Sequence, residues 1–98
     1  MATWNYVLHG GTLLDGTGAE PVAGDLAISD DRIAATGSLH LPKEGTLPAV
    51  VSCAGLTVAP GFIDVHTHSD LSLLAAPEAT AHVLQGVTTE VCGNCGSS

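Results

Sequence analysis

The sequence is poor in aromatic and basic residues, and both shortages limit what the chain can do. Its 98 residues include three aromatic side chains but 12 glycines and five prolines, so little bulk is available for an independent core. Only Arg32 and Lys43 are basic, against ten acidic residues, which gives a net charge of -8. Because such a surface repels phosphate groups and anionic lipid headgroups, we expect no nucleic acid and no membrane among its partners.

Long apolar runs, an export signal and paired cysteines are also missing. No apolar run approaches the roughly 20 residues that cross a bilayer, and the first ten residues lack the basic and apolar regions of a signal peptide. Cys53, Cys92 and Cys95 make an odd number, which argues against a secreted disulfide framework and favours reduced thiols. We therefore expect a cytoplasmic protein.

The residues that are present indicate a packed interior, because 45% are apolar and only 12% are charged. Residues 1–59 show short strand patterns broken by Gly and Asp, in WNYVLHGGTLLDGTG, DLAISDDRIAATG and AVVSCAGLTVAPG. The segments DLAIS and RIAATG flank Asp30 and Asp31 as the two arms of a hairpin do. We predict a small β-rich domain over 1–59, with a loop from Leu39 to Pro48.

The pattern changes in residues 60–98, which predict the first β/α/β unit of a second domain. FIDVH is typical of a strand, PEATAHVLQG of a helix from about Pro77 to Gln85 with Gly86 as its stop, and VTTEVCG of another strand. A helical crossover joins parallel strands, so the fold class is α/β. Two parallel strands leave edges and an apolar face uncovered, and we expect the chain to be the N-terminal piece of a larger sheet or barrel.

The segment GFIDVHTHSD contains the first candidate site. In a strand, Asp64, His66 and His68 share one face, and two imidazoles at i and i+2 lie about 6.6 Å apart. Their rings can turn towards one ion, since imidazole binds Zn, Fe, Mn or Ni, and Asp64 could hold a histidine ring or lie near the metal. A His-x-His pair taken alone is also compatible with a surface or hydrogen-bonded pair.

The segment EVCGNCG contains the second candidate. A zinc ribbon needs two cysteine pairs and a thioredoxin-like pair opens a helix, and neither condition is met here. A third interpretation puts Cys95 in the loop after the strand that neighbours the His66 strand, so that a thiolate and two imidazoles converge on a zinc ion. The other cysteines are assigned to packing and the other histidines to surface or capping roles: Cys53, Cys92, His9, His40 and His82.

The motifs APGFIDVHTHSD and GVTTEVCGNCG together resemble the amidohydrolase superfamily, and within it the N-acyl-D-amino-acid deacylase branch, also called D-aminoacylases. The resemblance implies the N-terminal part of a (β/α)₈ barrel, not closed by this chain, preceded by a small β-sandwich domain. It also implies that His66 and His68 are the first-strand metal ligands. Cys95 takes the position where many relatives use a carboxylated lysine.

A member of this branch would hydrolyse N-acyl-D-amino acids to a carboxylate and a free D-amino acid with the help of zinc. The family's general base and two further histidine ligands fall outside residues 1–98, so we expect this chain alone to be inactive and to need the remainder of the barrel, in the same or a companion chain. Two alternatives remain. One is an amidohydrolase acting on cyclic amides, similar to dihydroorotases and hydantoinases, and the other is a non-catalytic assembly fragment.

Overall fold

Short β-strands form most of the regular structure. The computed structural model describes residues 3–41, 48–67, 76 and 79–92. The elements in chain order are β1 (Tyr6–Leu13), β2 (Val22–Ser29), β3 (Arg32–Gly37), β4 (Ala49–Ser52), β5 (Thr57–Val58), β6 (Phe62–Asp64), α1 (Thr80–Val83) and β7 (Val87–Glu90). They divide into two compact units, an N-terminal unit of residues 1–60 and a C-terminal unit of residues 61–98.

The N-terminal unit contains one five-stranded sheet in its described part. Its strand order is β3-β2-β1-β4, and β5 pairs with the far end of β1. The predicted hairpin is confirmed: β2 and β3 are antiparallel, with Ser29 opposite Arg32, and Asp30 takes a left-handed φ of 53° in the turn. Strands β4 and β5 run parallel to β1. The predicted loop is described only at its two ends, since residues 42–47 lie outside the described part.

A bulge interrupts β1 where it pairs with β2. Leu8 is opposite Leu26 and Gly11 is opposite Gly24, so two residues of β1 face the single residue Asp25. Bulges favour a glycine of positive φ, and Gly10 has a φ of 73°. The carboxylate of Asp25 holds the bulge together, since its Oδ1 accepts hydrogen bonds from the Gly10 backbone at 2.9 Å and from His9 Nδ1 at 2.7 Å.

The core of this unit is small. Val7 and Ala27 are fully buried and lie opposite each other on β1 and β2, while Cys53 is buried just after β4. A Cβ on Gly11 would lie 3.0 Å from Cys53 Cβ, which shows how closely the two backbones approach. The packing role predicted for Cys53 agrees with this position.

The C-terminal unit has the predicted order of strand, helix and strand. Strands β6 and β7 are parallel, with Asp64 opposite Glu90. Both strands are shorter than the sequence analysis predicted, because β6 ends at Asp64 and β7 at Glu90. Between the pairs Phe62–Val87 and Ile63–Thr89 the register shifts, which leaves Thr88 as an extra residue on β7.

Helix α1 is also shorter than the predicted segment from Pro77 to Gln85. Pro77 lies outside the described residues, and Ala79 has a left-handed φ of 46°, so the helix begins only at Thr80. Gly86, with a φ of 87°, ends the turn that follows the helix, as predicted, and its carbonyl accepts a hydrogen bond from the Phe62 backbone at 2.7 Å. No helix in the described part of the chain has the length and apolar character needed to span a membrane.

Candidate functional site

The carboxyl ends of β6 and β7 lie side by side. Beyond the paired residues Asp64 and Glu90, the Val91 backbone donates to the Asp64 carbonyl at 2.8 Å, and the Thr67 backbone donates to the Val91 carbonyl at 3.2 Å. The two segments therefore stay hydrogen-bonded as far as Thr67, three residues past β6, and Val91, one residue past β7. The segments that follow them, one containing the histidine pair and the other the GNCG motif, begin at the same edge of the sheet.

Of the three predicted metal ligands, only His66 lies in the described part of the chain. His68 and Cys95 fall outside it. His66 is two residues past the end of β6, in a bend, and is exposed. The alternation predicted for Asp64 and His66 therefore does not extend to His66, because the extended strand on which it depends ends at Asp64.

Asp64 contacts the backbone of His66. Its Oδ1 accepts a hydrogen bond from the His66 backbone nitrogen at 3.2 Å. A carboxylate that bonds the amide two residues ahead forms an Asx-type turn, which bends the chain. The bend after β6 thus has a physical cause, and it directs the chain that contains His66 away from the strand.

A cluster of three side chains, Asp64, His82 and Glu90, lies at this edge; we call it the acid–histidine cluster. His82 Nε2 lies 3.1 Å from Glu90 Oε1 and 3.9 Å from Asp64 Oδ2. The Glu90 side chain is only 7% exposed, whereas those of Asp64 and His82 are about one-third exposed. One imidazole from the helix therefore bridges carboxylates on both strands.

Thr67 extends the acid–histidine cluster towards the predicted ligands. It is buried, and its Oγ1 donates a hydrogen bond to Glu90 Oε1 at 3.3 Å. Glu90 thus contacts the imidazole of the helix and accepts a hydrogen bond from the residue between the two predicted histidine ligands. The facing oxygen and nitrogen atoms of the cluster all lie within 4.8 Å of one another, a spacing that suits a hydrogen-bonded network or a cation.

The role of His82 was not predicted, because the sequence analysis gave it a surface or capping role. The signal available was weak: Glu90 places a charge inside the strand segment VTTEV, and a buried carboxylate requires a donor. Nothing in the spacing of His82 identifies it as that donor, since the contact depends on the packing of α1.

The remaining cysteine and histidines in the described part of the chain have different environments. His40 is exposed, whereas the Cys92 side chain is half-buried. His9 bonds Asp25 in the N-terminal unit, so its role is to hold the β1 bulge and not the isolated surface role that was expected. Hydrogen bonds from the backbones of Leu39 and Gly10, and from His9, hold the pKa of Asp25 below its usual value.

Comparison with known proteins identifies a family. The family model of the amidohydrolase family matches residues 49–98, about half of the chain. The chain is 48% identical over 95 residues to N-acyl-D-aspartate deacylase from Alcaligenes xylosoxydans xylosoxydans, covering 96% of this chain and 18% of that protein.

Solved structures give the same result. The N-acyl-D-glutamate deacylase from Bordetella bronchiseptica, solved with zinc and a phosphonate mimic of the tetrahedral intermediate, is 44% identical with a TM-score of 0.82, covering 98% of this chain and 20% of that one. A D-aminoacylase with a binuclear metal centre is 45% identical with a TM-score of 0.83, covering 95% and 19%. The chain spans about one-fifth of the length of these relatives. Together with the parallel β6 and β7 strands, the match over residues 49–98 shows that the chain belongs to the amidohydrolase family.

Proposed function

We propose that this chain is the N-terminal portion of a zinc-dependent amidohydrolase that hydrolyses N-acyl-D-amino acids to a carboxylate and a free D-amino acid. The observation that carries the proposal is the parallel register of Asp64 with Glu90, which starts the His66 and Cys95 segments at one edge of the sheet. The likeness to deacylases of N-acyl-D-aspartate and N-acyl-D-glutamate supports the same substrate class.

In this proposal His66, His68 and Cys95 hold the zinc. The donor set fits the ion, because imidazole nitrogen and thiolate sulfur are the ligands that zinc prefers, and His66 is solvent-exposed. A bound zinc ion supplies a Lewis acid that polarises the acyl oxygen and lowers the pKa of a bound water.

The contribution of this chain's own residues is to orient the ligand segment. The hydrogen bond from the His66 backbone to Asp64 Oδ1 fixes the bend in which His66 lies. The bond from Thr67 Oγ1 to Glu90 Oε1 fixes the next residue, which immediately precedes His68. A ligand segment fixed before the ion binds loses less conformational entropy on binding, so the fixed bend favours metal affinity.

The remaining parts of the proposed enzyme lie outside residues 1–98. We assign the general base, the further ligands and the other barrel strands to the remainder of a (β/α)₈ barrel in a cytoplasmic protein, with 1–59 as a small β-sandwich domain and 60–98 as the first β/α/β unit. Phe62, Ile63 and Val65 are exposed on and just after β6, which suits coverage by further barrel elements. Residues 1–98 alone are then inactive.

The test is hydrolysis by the full-length protein. N-acetyl-D-glutamate, N-acetyl-D-aspartate and N-acetyl-D-leucine are each compared with the L enantiomer by the amine released. Dihydrouracil serves as the cyclic amide, and its hydrolysis is followed by the loss of its ultraviolet absorbance, because ring opening releases no amine. We expect release from at least one D substrate, loss of activity after chelation, and recovery on addition of zinc. Hydrolysis of the cyclic amide alone, or activity that survives complete removal of metal, would contradict the proposal.

A further inference from the structure

His82 connects the helix to both strands of the second sheet. Its Nε2 lies 3.1 Å from Glu90 Oε1, a hydrogen-bond distance, and 3.9 Å from Asp64 Oδ2. Asp64 and Glu90 are opposite each other in the parallel pair. One imidazole therefore contacts the last residue of β6 and the last residue of β7 together.

Each carboxylate also contacts the segment that contains the proposed zinc ligands. Asp64 Oδ1 accepts from the His66 backbone at 3.2 Å, and Glu90 Oε1 accepts from Thr67 Oγ1 at 3.3 Å. Two consecutive residues, His66 and Thr67, are thus held by the two carboxylates that His82 bridges. A displacement of either carboxylate would therefore displace the segment that contains His66 and Thr67.

The burial of the acid–histidine cluster explains why the imidazole matters. The Glu90 side chain is 7% exposed and lies close to a second carboxylate. Two like charges in a partly buried site repel each other unless a donor lies between them. His82 is placed between them, so its removal would let the two carboxylates separate.

We propose that His82 is a positioning residue for the zinc ligands of this chain. Through Glu90 and Asp64 it fixes the segment that contains His66 and Thr67, without binding the zinc itself. The inference rests on the proposed function, because it concerns the ligand set named there. It adds a residue from the crossover helix to a site otherwise built from the segments after β6 and β7.

The same three side chains could instead bind a cation of their own. The hydrogen-bond distance of 3.1 Å between Nε2 and Glu90 Oε1 favours direct contact, since a metal ligand directs its lone pair at the ion and not at a neighbouring oxygen. Asp64 is farther from the imidazole, at 3.9 Å. Direct contact between the imidazole and the carboxylates is the arrangement that these distances support, and a separate metal site is an outcome that the test distinguishes.

The experiment measures the zinc affinity of the full-length protein by competition with a chromophoric chelator. Elemental analysis gives the number of zinc ions per chain. His82→Leu removes the donor, His82→Gln retains an N–H donor, and Gln85→Leu is the control in the turn after the helix, where the Gln85 side chain donates to the Ala81 carbonyl. We expect His82→Leu to lose zinc affinity by about 10–100-fold. His82→Gln should recover most of the affinity, and Gln85→Leu should match wild type.

Three results would overturn the inference. Unchanged zinc affinity in His82→Leu, together with a lower unfolding temperature of the metal-free protein, would make His82 merely structural. Loss of one zinc per chain at unchanged affinity of the rest would make it a ligand of a separate site. A wild type without zinc or hydrolysis would remove the proposed function as well, and that failure is recognised in wild type before any variant is compared. If His82→Leu does not fold, Glu90→Gln replaces it, with the same loss expected.

Discussion

At the scale of single residues, Asp25 is the side chain on which the N-terminal sheet most depends. It is 6% exposed and accepts three hydrogen bonds: from Gly10 and His9 at the bulge, and from the Leu39 backbone at 3.1 Å. These bonds join the middle of β1 to the chain that leaves β3. A buried carboxylate with three donors is favoured in its ionised form, which is why its pKa is lowered.

Replacement of Asp25 by Asn should destabilise the N-terminal unit. The amide NH₂ group would replace a carboxylate oxygen that accepts a hydrogen bond, so two donors would face each other. We expect the unfolding temperature of the full-length protein to fall by several degrees near pH 6. A group whose pKa is lowered on folding stabilises the fold above its unfolded pKa, about 3.9. The difference between wild type and Asp25→Asn should therefore shrink as the pH falls below about 4.

The measurement is thermal unfolding between pH 3 and pH 7, with Asp31→Asn as the matched control. Asp31 is almost fully exposed beside Arg32, and such pairs contribute little to stability. A constant difference between wild type and Asp25→Asn over this range, or an equal loss in Asp31→Asn, would contradict the role given to Asp25.

Residue contacts between distant parts of the chain were the least predictable feature. His9 and Asp25 are 16 residues apart, and their contact requires the bulge, which depends on how β1 pairs with β2. His82 meets Glu90 only because α1 packs against the second sheet. A sequence shows which side chains need a partner, but the partner is decided by register and packing.

At the scale of secondary-structure elements, the pairing of β6 with β7 depends on the absence of a side chain at Gly61. A Cβ at this position would lie 2.7 Å from Thr88 Cβ, the extra residue of β7. Real Cβ atoms essentially never approach so closely, so any larger residue must push the strands apart. The parallel pairing of β6 with β7 therefore requires a glycine at this position.

Gly61→Ala should therefore destabilise the C-terminal unit by about 1–3 kcal/mol. Thr88→Gly removes the opposing Cβ, so the double variant should be more stable than the sum of the two single effects predicts. Chemical denaturation of the four proteins measures this coupling free energy. Additive effects of the two substitutions would show that Gly61 and Thr88 do not meet.

Elements with strong local signals were predicted well, and their ends were not. The hairpin around Asp30 and Asp31 combines alternating apolar residues with turn residues, and it forms as predicted. The helix begins later than predicted because Ala79 takes a left-handed conformation, which no residue preference of alanine would indicate. Strand β6 ends earlier than predicted because Asp64 bonds the His66 backbone and bends the chain.

At the scale of the whole molecule, the C-terminal unit leaves large apolar side chains exposed. Phe62 is 62% exposed and Leu84 is 81% exposed, and Ile63 and Val65 are similar. Several large apolar groups exposed in so small a unit form a surface that requires cover. In the proposed enzyme this cover comes from the remainder of the barrel, which also provides the catalytic groups that residues 1–98 do not contain.

Residues 1–98 produced alone should therefore self-associate, bind a hydrophobic dye and show no deacylase activity, whereas the full-length protein should remain monodisperse or form a defined oligomer. Light scattering measures the self-association, and dye fluorescence measures the exposed apolar surface. Leu84→Lys should reduce self-association of the short chain, because it places a charge on the apolar surface. A monomeric, non-staining short chain would argue that these side chains need no further cover.

The central claim is that one zinc ion joins the segment after β6 to the segment after β7. Its most direct test is the zinc content of the purified full-length protein, compared between wild type, Cys95→Ala and the control Cys92→Ala. We predict zinc in wild type and in Cys92→Ala, and its loss in Cys95→Ala. A wild type free of zinc, or full zinc occupancy in Cys95→Ala, would contradict the account.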